Sequence, residues 1–426
     1  MRVLIRRLQY DWGSWLAVAF IALLPFRRLS EIPLSIFAVS LAFLAGSAAH
    51  RARIWSASRF VLPLFLCYWI PMLLSSFDSV VPQKSWVQSA SALRFLAAAL
   101  ALSVLLQAPS ARERVLRWSA WLLLFWACDA FVQLFFGRDL FGIPMHPDRL
   151  NALFYERYQF FGPTLAFLSP LVLEHARRRW RPWAWELTFA LLLGAVLIAG
   201  MRAGWLAMGL VLATYMILML KHENRELRRA LLTIPALAVV VLVVSFFASP
   251  LFQERLDVTR AFTFGAEPAA GQVAQSVVGR AADASAMERI PIFRAALLMY
   301  RDHPVNGVGV RGYPYAYIDY AEPGDVHVAK SDGRYAASHA HNVVLEVMAD
   351  TGTIGLAGLA LAFVLALRHL RRITPGERRD AFPFALAVFL ILFPLNSHFA
   401  IYGTYTSSLI WFLVGLWSAS LRHDPQ

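Results

Sequence analysis

Two histidines and a set of arginines hold most of the chemistry in this sequence. His339 and His341 stand two apart in SHAHN, residues 338–342, with the amide of Asn342 next to them. An imidazole titrates near neutral pH and can take a proton from a hydroxyl under attack. Arg202 sits in GMRAG, 200–204, and Arg149 in MHPDRLNALF, 145–154. Arg280, Arg289, Arg294 and Arg311 follow along one long polar stretch. A guanidinium is permanently charged, and its planar fork suits two phosphate oxygens at once. Arginines of this kind beside an imidazole form a cradle for a phosphate or pyrophosphate next to a proton acceptor.

Plainer readings stand beside that one. The histidines also read as a polar cap on a helix, and any single arginine as a snorkelling side chain that meets lipid head groups. A zinc site built on the H-x-H pair needs a third ligand from His303, His327 or a distant carboxylate, and no ligand spacing is present. No D-x-D motif occurs, and Asp139, Asp148 and Glu156 form no tight pair. The sequence thus favours metal-free chemistry and implies no cofactor.

The elements that position these residues are apolar. The chain of 426 residues is 58% hydrophobic and only 16% charged, where a soluble domain averages about 25% charged residues. Mean hydropathy is +0.54. Runs of roughly 20 apolar residues recur, the length that crosses a bilayer core of about 30 Å as helix. Twelve such spans are expected: 12–26, 31–49, 60–76, 89–107, 116–136, 158–173, 183–200, 203–220, 229–248, 341–367, 381–397 and 401–420. The fold class is an all-α polytopic membrane protein, since lipid admits only structures that satisfy their own backbone and no β-barrel alternation is visible.

Net charge is +13. The charge excess invites a nucleic-acid reading, but its distribution follows the positive-inside rule. Arginines crowd the N-terminus and alternate connections, as in Arg51, Arg53 and Arg59, Arg177 to Arg179, and Arg368, Arg371 and Arg372. Both termini are therefore expected in the cytoplasm, with membrane lipids and no nucleic acid as partners. The division is 1–248 as nine spans, 249–340 as an external loop domain, and 341–426 as three more spans. Cys67 and Cys128 lie in apolar runs and read as packing residues. No signal-cleavage site follows the first apolar run.

Segment 249–340 carries too many aromatic and apolar groups for a solvated coil. Residues 287–302 read as a short helix with Pro291 in its first turn. Phe293, Leu297 and Tyr300 share one face, and Arg294 and Arg301 form a strip beside it. HPVNGVGVRGY, 303–313, then breaks regular structure with one proline and three glycines. Gly352 and Gly355 read as small residues that let helices approach closely. Arg94 and Asp129 fall inside apolar spans and are expected to pair with each other.

His341-Asn342, nine residues, and Gly352-Thr353-Ile354-Gly355 fit the histidine motif of the O-antigen ligase family. The run from Arg289 through HPVNGVGVRGY resembles that family's R-helix-P-x-x-G-x-G stretch. GMRAG resembles its arginine turn, and RLNALF its earlier arginine element. O-antigen polymerases and protein O-oligosaccharyltransferases share part of the histidine motif. The resemblance implies a GT-C-type glycosyltransferase, metal-independent and inverting, at the periplasmic face of the bacterial inner membrane. The implied donor is O-antigen on undecaprenyl pyrophosphate, and the implied acceptor is lipid A–core. His341 is then the general base. Arg202, Arg289 and Arg149 hold the pyrophosphate, with Asn342, His339, Arg311 and Arg280 in supporting roles. A carrier of lipid-linked saccharide is the reading from another class, though no inverted repeat is visible.

Overall fold

The computed structural model describes residues 2–26, 28–146, 149–154, 159–220, 236–241, 243–244, 247, 289–329, 336–396 and 399–421. Among them the secondary structure is helical. The extended pairings are two isolated bridges, Arg138 with Pro144 and His146 with Arg149. Helices lie over each expected apolar span except the ninth, 229–248, of which only parts are described. Four helices are long and apolar enough to cross a membrane: Ala48–Ser75, Pro82–Leu105, Pro109–Phe136 and Val343–Arg372. Three shorter apolar helices, Glu31–Ala45, Pro182–Ile198 and Arg202–Leu218, accompany them. Large apolar side chains such as Phe43 (79% exposed) and Phe136 (79% exposed) point outward from these helices. Their exposure suits a lipid surround rather than water.

The chain divides into two compact units. One comprises Met1–Ser30 and Glu113–Asp283. It holds α1 (Arg2–Ala22), the body of α5 (Pro109–Phe136), α6 (Phe161–Arg179), α7 (Pro182–Ile198) and α8 (Arg202–Leu220). Helix α6 packs on α7 and α8. Arg114 ties α5 to α1 through Asp11 (2.8 Å), and Trp15 meets Trp118 with ring centroids 5.6 Å apart. At the end of α6 the buried Glu174 takes Arg177 and Arg178 at 2.6 and 2.7 Å.

The other unit comprises Glu31–Arg112 and Ala284–Gln426. Its long helices are α2 (Glu31–Ala45), α3 (Ala48–Ser75), α4 (Pro82–Leu105), α12 (Val343–Arg372), α13 (Pro375–Leu392) and α14 (Thr404–Ala419). The short α9 (Arg289–Asp302), α10 (Tyr313–Tyr320) and α11 (Val326–Ala329) form a polar cap. Helix α4 is central and packs on α2, α3 and α14, while α12 packs on α3. Gly415 of α14 lies against the Ala99 backbone, and a Cβ there would stand 3.1 Å from the Ala99 carbonyl. Gly358 of α12 lies against the Cys67 carbonyl of α3, where a Cβ would come within 2.3 Å. The close helix approach in α12 is thus made at Gly358.

One sequence expectation changes here. Arg94 does not take Asp129 as its partner. It pairs with Glu31 at 3.0 Å, and Glu31 also accepts a hydrogen bond from Ser408 at 2.5 Å. Helix α2 packs along α4 and brings a carboxylate to Arg94. Asp129 instead accepts the backbone N–H of Leu140 at 2.9 Å. Helix α9 packs largely through small residues. Its buried face is Ile292, Ala295, Ala296 and Met299, whereas Leu297 is 53% exposed. The alanines leave room for Tyr313 and Tyr317 of α10, which complete the same apolar cluster.

Candidate functional site

The histidine segment is anchored through its alanines. Ala337 and Ala340 are buried in the cluster with Met299, Tyr313 and Tyr317, and the Ala336 N–H bonds to the Pro314 carbonyl at 3.1 Å. Ala340 is fully buried, while its two neighbours, His339 and His341, are only half-buried. Their rings lie 3.9 Å apart, centroid to centroid. His339 Nδ1 is 2.9 Å from Ser338 Oγ. His341 is half-buried and has φ of 49°. A non-glycine residue in this region costs about 1–2 kcal/mol and commonly marks a functional constraint.

Asn342 then starts α12. Its Oδ1 accepts the Leu345 N–H at 3.0 Å, an N-cap bond. Its Nδ2 donates to the Pro394 carbonyl at 3.1 Å, and the Val343 N–H bonds to the Asn396 carbonyl. Both ends of the amide serve the backbone, so Asn342 fixes the direction in which the histidine pair leaves the helix.

Helix α12 is broken at Gly352, with φ 61° and ψ −155°. The break strands backbone groups on both sides, and stranded groups at membrane depth need partners. Residues 304–309 supply them. The N–H groups of Val308 and Gly309 bond to the carbonyls of Ala349 and Asp350 at 2.8 and 3.1 Å. The N–H groups of Thr353 and Ile354 bond to the carbonyls of Pro304 and Val305 at 2.9 and 3.1 Å. The approach is too close for side chains. A Cβ on Gly352 would stand 2.4 Å from the Val305 carbonyl oxygen, and one on Gly307 would stand 2.4 Å from that of Ala349. Glycines in two distant motifs therefore answer each other. The other side of the loop meets the α3–α4 turn: the Val80 N–H bonds to the Val308 carbonyl at 3.1 Å, and Ser85 Oγ to that of Val310 at 2.7 Å.

Arg311 follows with φ of 65°. The Asp350 carboxylate accepts the N–H groups of Arg311 and Tyr313 at 3.0 and 3.1 Å. A hydrogen bond contributes about 0.5–1.5 kcal/mol net. Two of them offset a left-handed penalty of about 1–2 kcal/mol, so the backbone conformation is held. Glu346, one turn earlier, is buried with Asp350 and lies close enough to the Arg311 guanidinium to feel its charge. Burial, the neighbouring Tyr317 and nearby carboxylates push the Tyr313 phenol up. Its neutral hydroxyl donates to the Ile292 carbonyl at 2.7 Å. Burial and hydrogen bonding to Asp325 push Tyr317 up in the same way, and its hydroxyl donates to Asp325 at 2.8 Å.

Arg289 opens α9 and is half-buried. Arg294 pairs with Glu322, and Arg301 with Asp302 at 3.0 Å. Arg280 lies outside the described residues.

In the other unit, Arg202 is the first residue of α8, after a turn in which Gly200 has φ of 71°. Gly204 faces the backbone of Gly162, and its Cβ would meet the Val196 side chain at 3.0 Å. The crossing of α6 and α8 thereby sets the start of the arginine helix. Arg149 lies in a loop whose Leu150, Ala152 and Phe154 are fully buried. The His146 N–H donates to Asn151 Oδ1 at 2.7 Å, and Gln133 Oε1 accepts the Ala152 N–H at 2.8 Å. Ala152 has φ of 43°. Asp139 spends Oδ1 on the N–H groups of Phe141 and Ile143. Among the described residues, no three His, Cys, Asp or Glu side chains gather as a metal site.

The structure thus brings His339, His341 and Asn342 together at one helix start, and Arg311 with Asp350 and Glu346 further along the same helix. Arg202 and Arg149 belong to the other compact unit. Sequence reading missed the Asp350–Arg311 arrangement. The signal available was a second glycine-rich run able to meet the glycines of the histidine motif.

A family model described as O-antigen ligase matches residues 187–360. The matched stretch includes Arg202, Arg289, Arg311, His339, His341, Asn342 and Asp350, and leaves Arg149 outside. No curated protein matches the chain.

Proposed function

Because residues 187–360 belong to the O-antigen ligase family, we propose that this chain transfers O-antigen polysaccharide from undecaprenyl pyrophosphate to lipid A–core. The family is made of glycosyltransferase-like enzymes that act on lipid-linked polysaccharide and lipid A–core. In this reading twelve helices cross the inner membrane in a GT-C-type arrangement, with both termini cytoplasmic. Residues 249–340 work at the periplasmic face, and lipid substrates enter from the bilayer between helices.

The reaction forms one bond and breaks one. A sugar hydroxyl of lipid A–core attacks the anomeric carbon of the donor from the side opposite the pyrophosphate. The bond from that carbon to the pyrophosphate oxygen breaks, and its electron pair leaves with undecaprenyl pyrophosphate. The anomeric centre inverts. Neutral His341 accepts the hydroxyl proton, a contribution of typically about 10²–10⁴-fold. The leaving group needs charge neutralisation more than protonation, and preorganised guanidinium groups supply it. We assign that role to Arg202 and Arg289, and to Arg149 as a third. The step needs no metal ion.

The observation that carries this reading is the strained, half-buried His341 at the head of a helix whose first turns are buried, its ring against that of His339, within the matched segment. The test is a purified-component assay in nanodiscs with lipid-linked O-antigen and lipid A–core. Covalent joining of the two is expected. Movement of the donor across the membrane with no change in bonding would make the chain a carrier. Polymer growth without joining to lipid A–core would make it a polymerase.

A further inference from the structure

The 304–313 loop holds an arginine under unusual constraint. Arg311 is a long side chain in the left-handed region (φ 65°), where such residues are rarely found. The Asp350 carboxylate pins its backbone by taking its own N–H and that of Tyr313. Gly309, two residues before it, is pressed on Ser79, where a Cβ would meet the Ser79 hydroxyl at 2.1 Å. The Val310 N–H bonds to Ser75 Oγ at 3.1 Å. The backbone around Arg311 is therefore fixed from two sides.

The guanidinium at the end of this fixed backbone is unspent. It makes no hydrogen bond and no ion pair with any described residue, although Glu346 and Asp350 both feel its charge. Most buried polar groups are satisfied, and an arginine that serves only as a counter-ion forms the pair. Here the Asp350 oxygens face main-chain N–H groups instead. Both carboxyls lie near the cation, and its five N–H donors stay available to an outside acceptor.

We propose that Arg311 is a direct ligand of the donor's pyrophosphate, and that Asp350 is the positioning residue that presents it. The proposal rests on the transferase reading above and deepens it. Asp350 lies two turns along α12 from its start at Val343, about 10 Å at 1.5 Å per residue, and the histidine pair leads into that start. Arg311 and His341 are thus fixed to the two ends of one rigid helical segment, Arg311 through the carboxylate and His341 through the chain. Anionic chemistry at Arg311 and proton transfer at His341 would share that frame.

The test uses the whole chain in phosphatidylcholine nanodiscs, titrated with undecaprenyl pyrophosphate, with undecaprenol and with phosphatidylglycerol. Wild type is compared with Arg311→Gln, Arg311→Lys, Asp350→Asn and the Arg311→Gln/Asp350→Asn double variant. Arg311→Gln should weaken undecaprenyl pyrophosphate binding at least tenfold and leave undecaprenol binding unchanged. Asp350→Asn should weaken it less, because a carboxamide oxygen still accepts a main-chain N–H. The double variant should bind no better than Arg311→Gln. If Arg311→Gln does not fold, Arg311→Lys replaces it and should bind several-fold more weakly than wild type.

Wild-type affinity in either Arg311 single variant overturns the proposal. So does restored affinity in the double variant, which would make Arg311 a mere counter-ion. An equal loss of phosphatidylglycerol binding would reduce it to a general head-group contact. Failure of the wild type itself to bind undecaprenyl pyrophosphate is a different result, because it removes the transferase reading.

Discussion

Two irregular stretches bear arginines, 137–146 with 149–154 in one compact unit and 304–313 in the other. Both use polar side chains to hold main-chain N–H groups: Asp139, Gln133 and Asn151 in the first, Asp350 in the second. Both contain a non-glycine residue with positive φ, Ala152 and Arg311. They differ in what they dock on. The first segment is fixed by apolar side chains, with Leu150, Ala152 and Phe154 buried. The second is fixed by backbone, because it completes the hydrogen bonds that the Gly352 break leaves open in α12. Apolar anchoring tolerates some shift of the chain. Four main-chain bonds across a glycine contact set the register to a single residue.

Gly352→Ala tests this difference most severely. The new methyl would overlap the Val305 carbonyl, and the residue would hold an unfavourable φ. Overpacking of about 1–3 kcal/mol and left-handed strain of about 1–2 kcal/mol add to roughly 2–5 kcal/mol. Thermal unfolding in detergent should show a large fall in Tm, with transfer activity lost. An unchanged Tm would mean that the loop and the break are not joined as described.

The arginines come next. Arg202→Ala and Arg289→Ala should raise the donor KM by about tenfold or more and leave the acceptor KM near wild type. Lysine should restore each only in part. Steady-state kinetics with each substrate varied in turn would show this, and full rescue by lysine would count against bidentate phosphate contact.

A smaller effect is expected at Asn342. Asn342→Ala removes an N-cap, worth about 1 kcal/mol. Tm should drop by a few degrees while the donor KM stays unchanged. A donor-KM defect without a stability change would move Asn342 from framework to substrate contact. The smallest effect is none: treatment with a chelator should leave the transfer rate intact. Loss of activity that returns with a divalent ion would overturn the metal-free step.

Legibility in the sequence followed the same divide. Apolar runs marked the long helices because length and composition alone define them. Pro291 correctly marked the start of α9, since proline fits the first turn. The spacing of the large residues in α9 does not tell which face is buried, because α10 packs against Ala295 and Ala296. The partner of Arg94 was misread because depth in the bundle is not written along the chain. Asp129 and Glu31 look alike in one dimension, and only the packing of α2 on α4 chooses between them. The Gly352 break was hidden inside one expected span, 341–367. Its cause lies some forty residues earlier, in the glycines of 304–312. For the candidate site, residue types were readable and the framework was not. His341 and the arginines stand out by chemistry, while the bond from Asp350 to the Arg311 backbone exists only once the chain has folded.

The most direct test of the account is a transfer assay with purified wild type and His341→Ala in nanodiscs, each saturated with lipid-linked O-antigen and lipid A–core. The account predicts that the variant folds with an unchanged Tm and binds the donor normally, yet transfers at least about a hundredfold more slowly. Wild-type transfer by His341→Ala would contradict it.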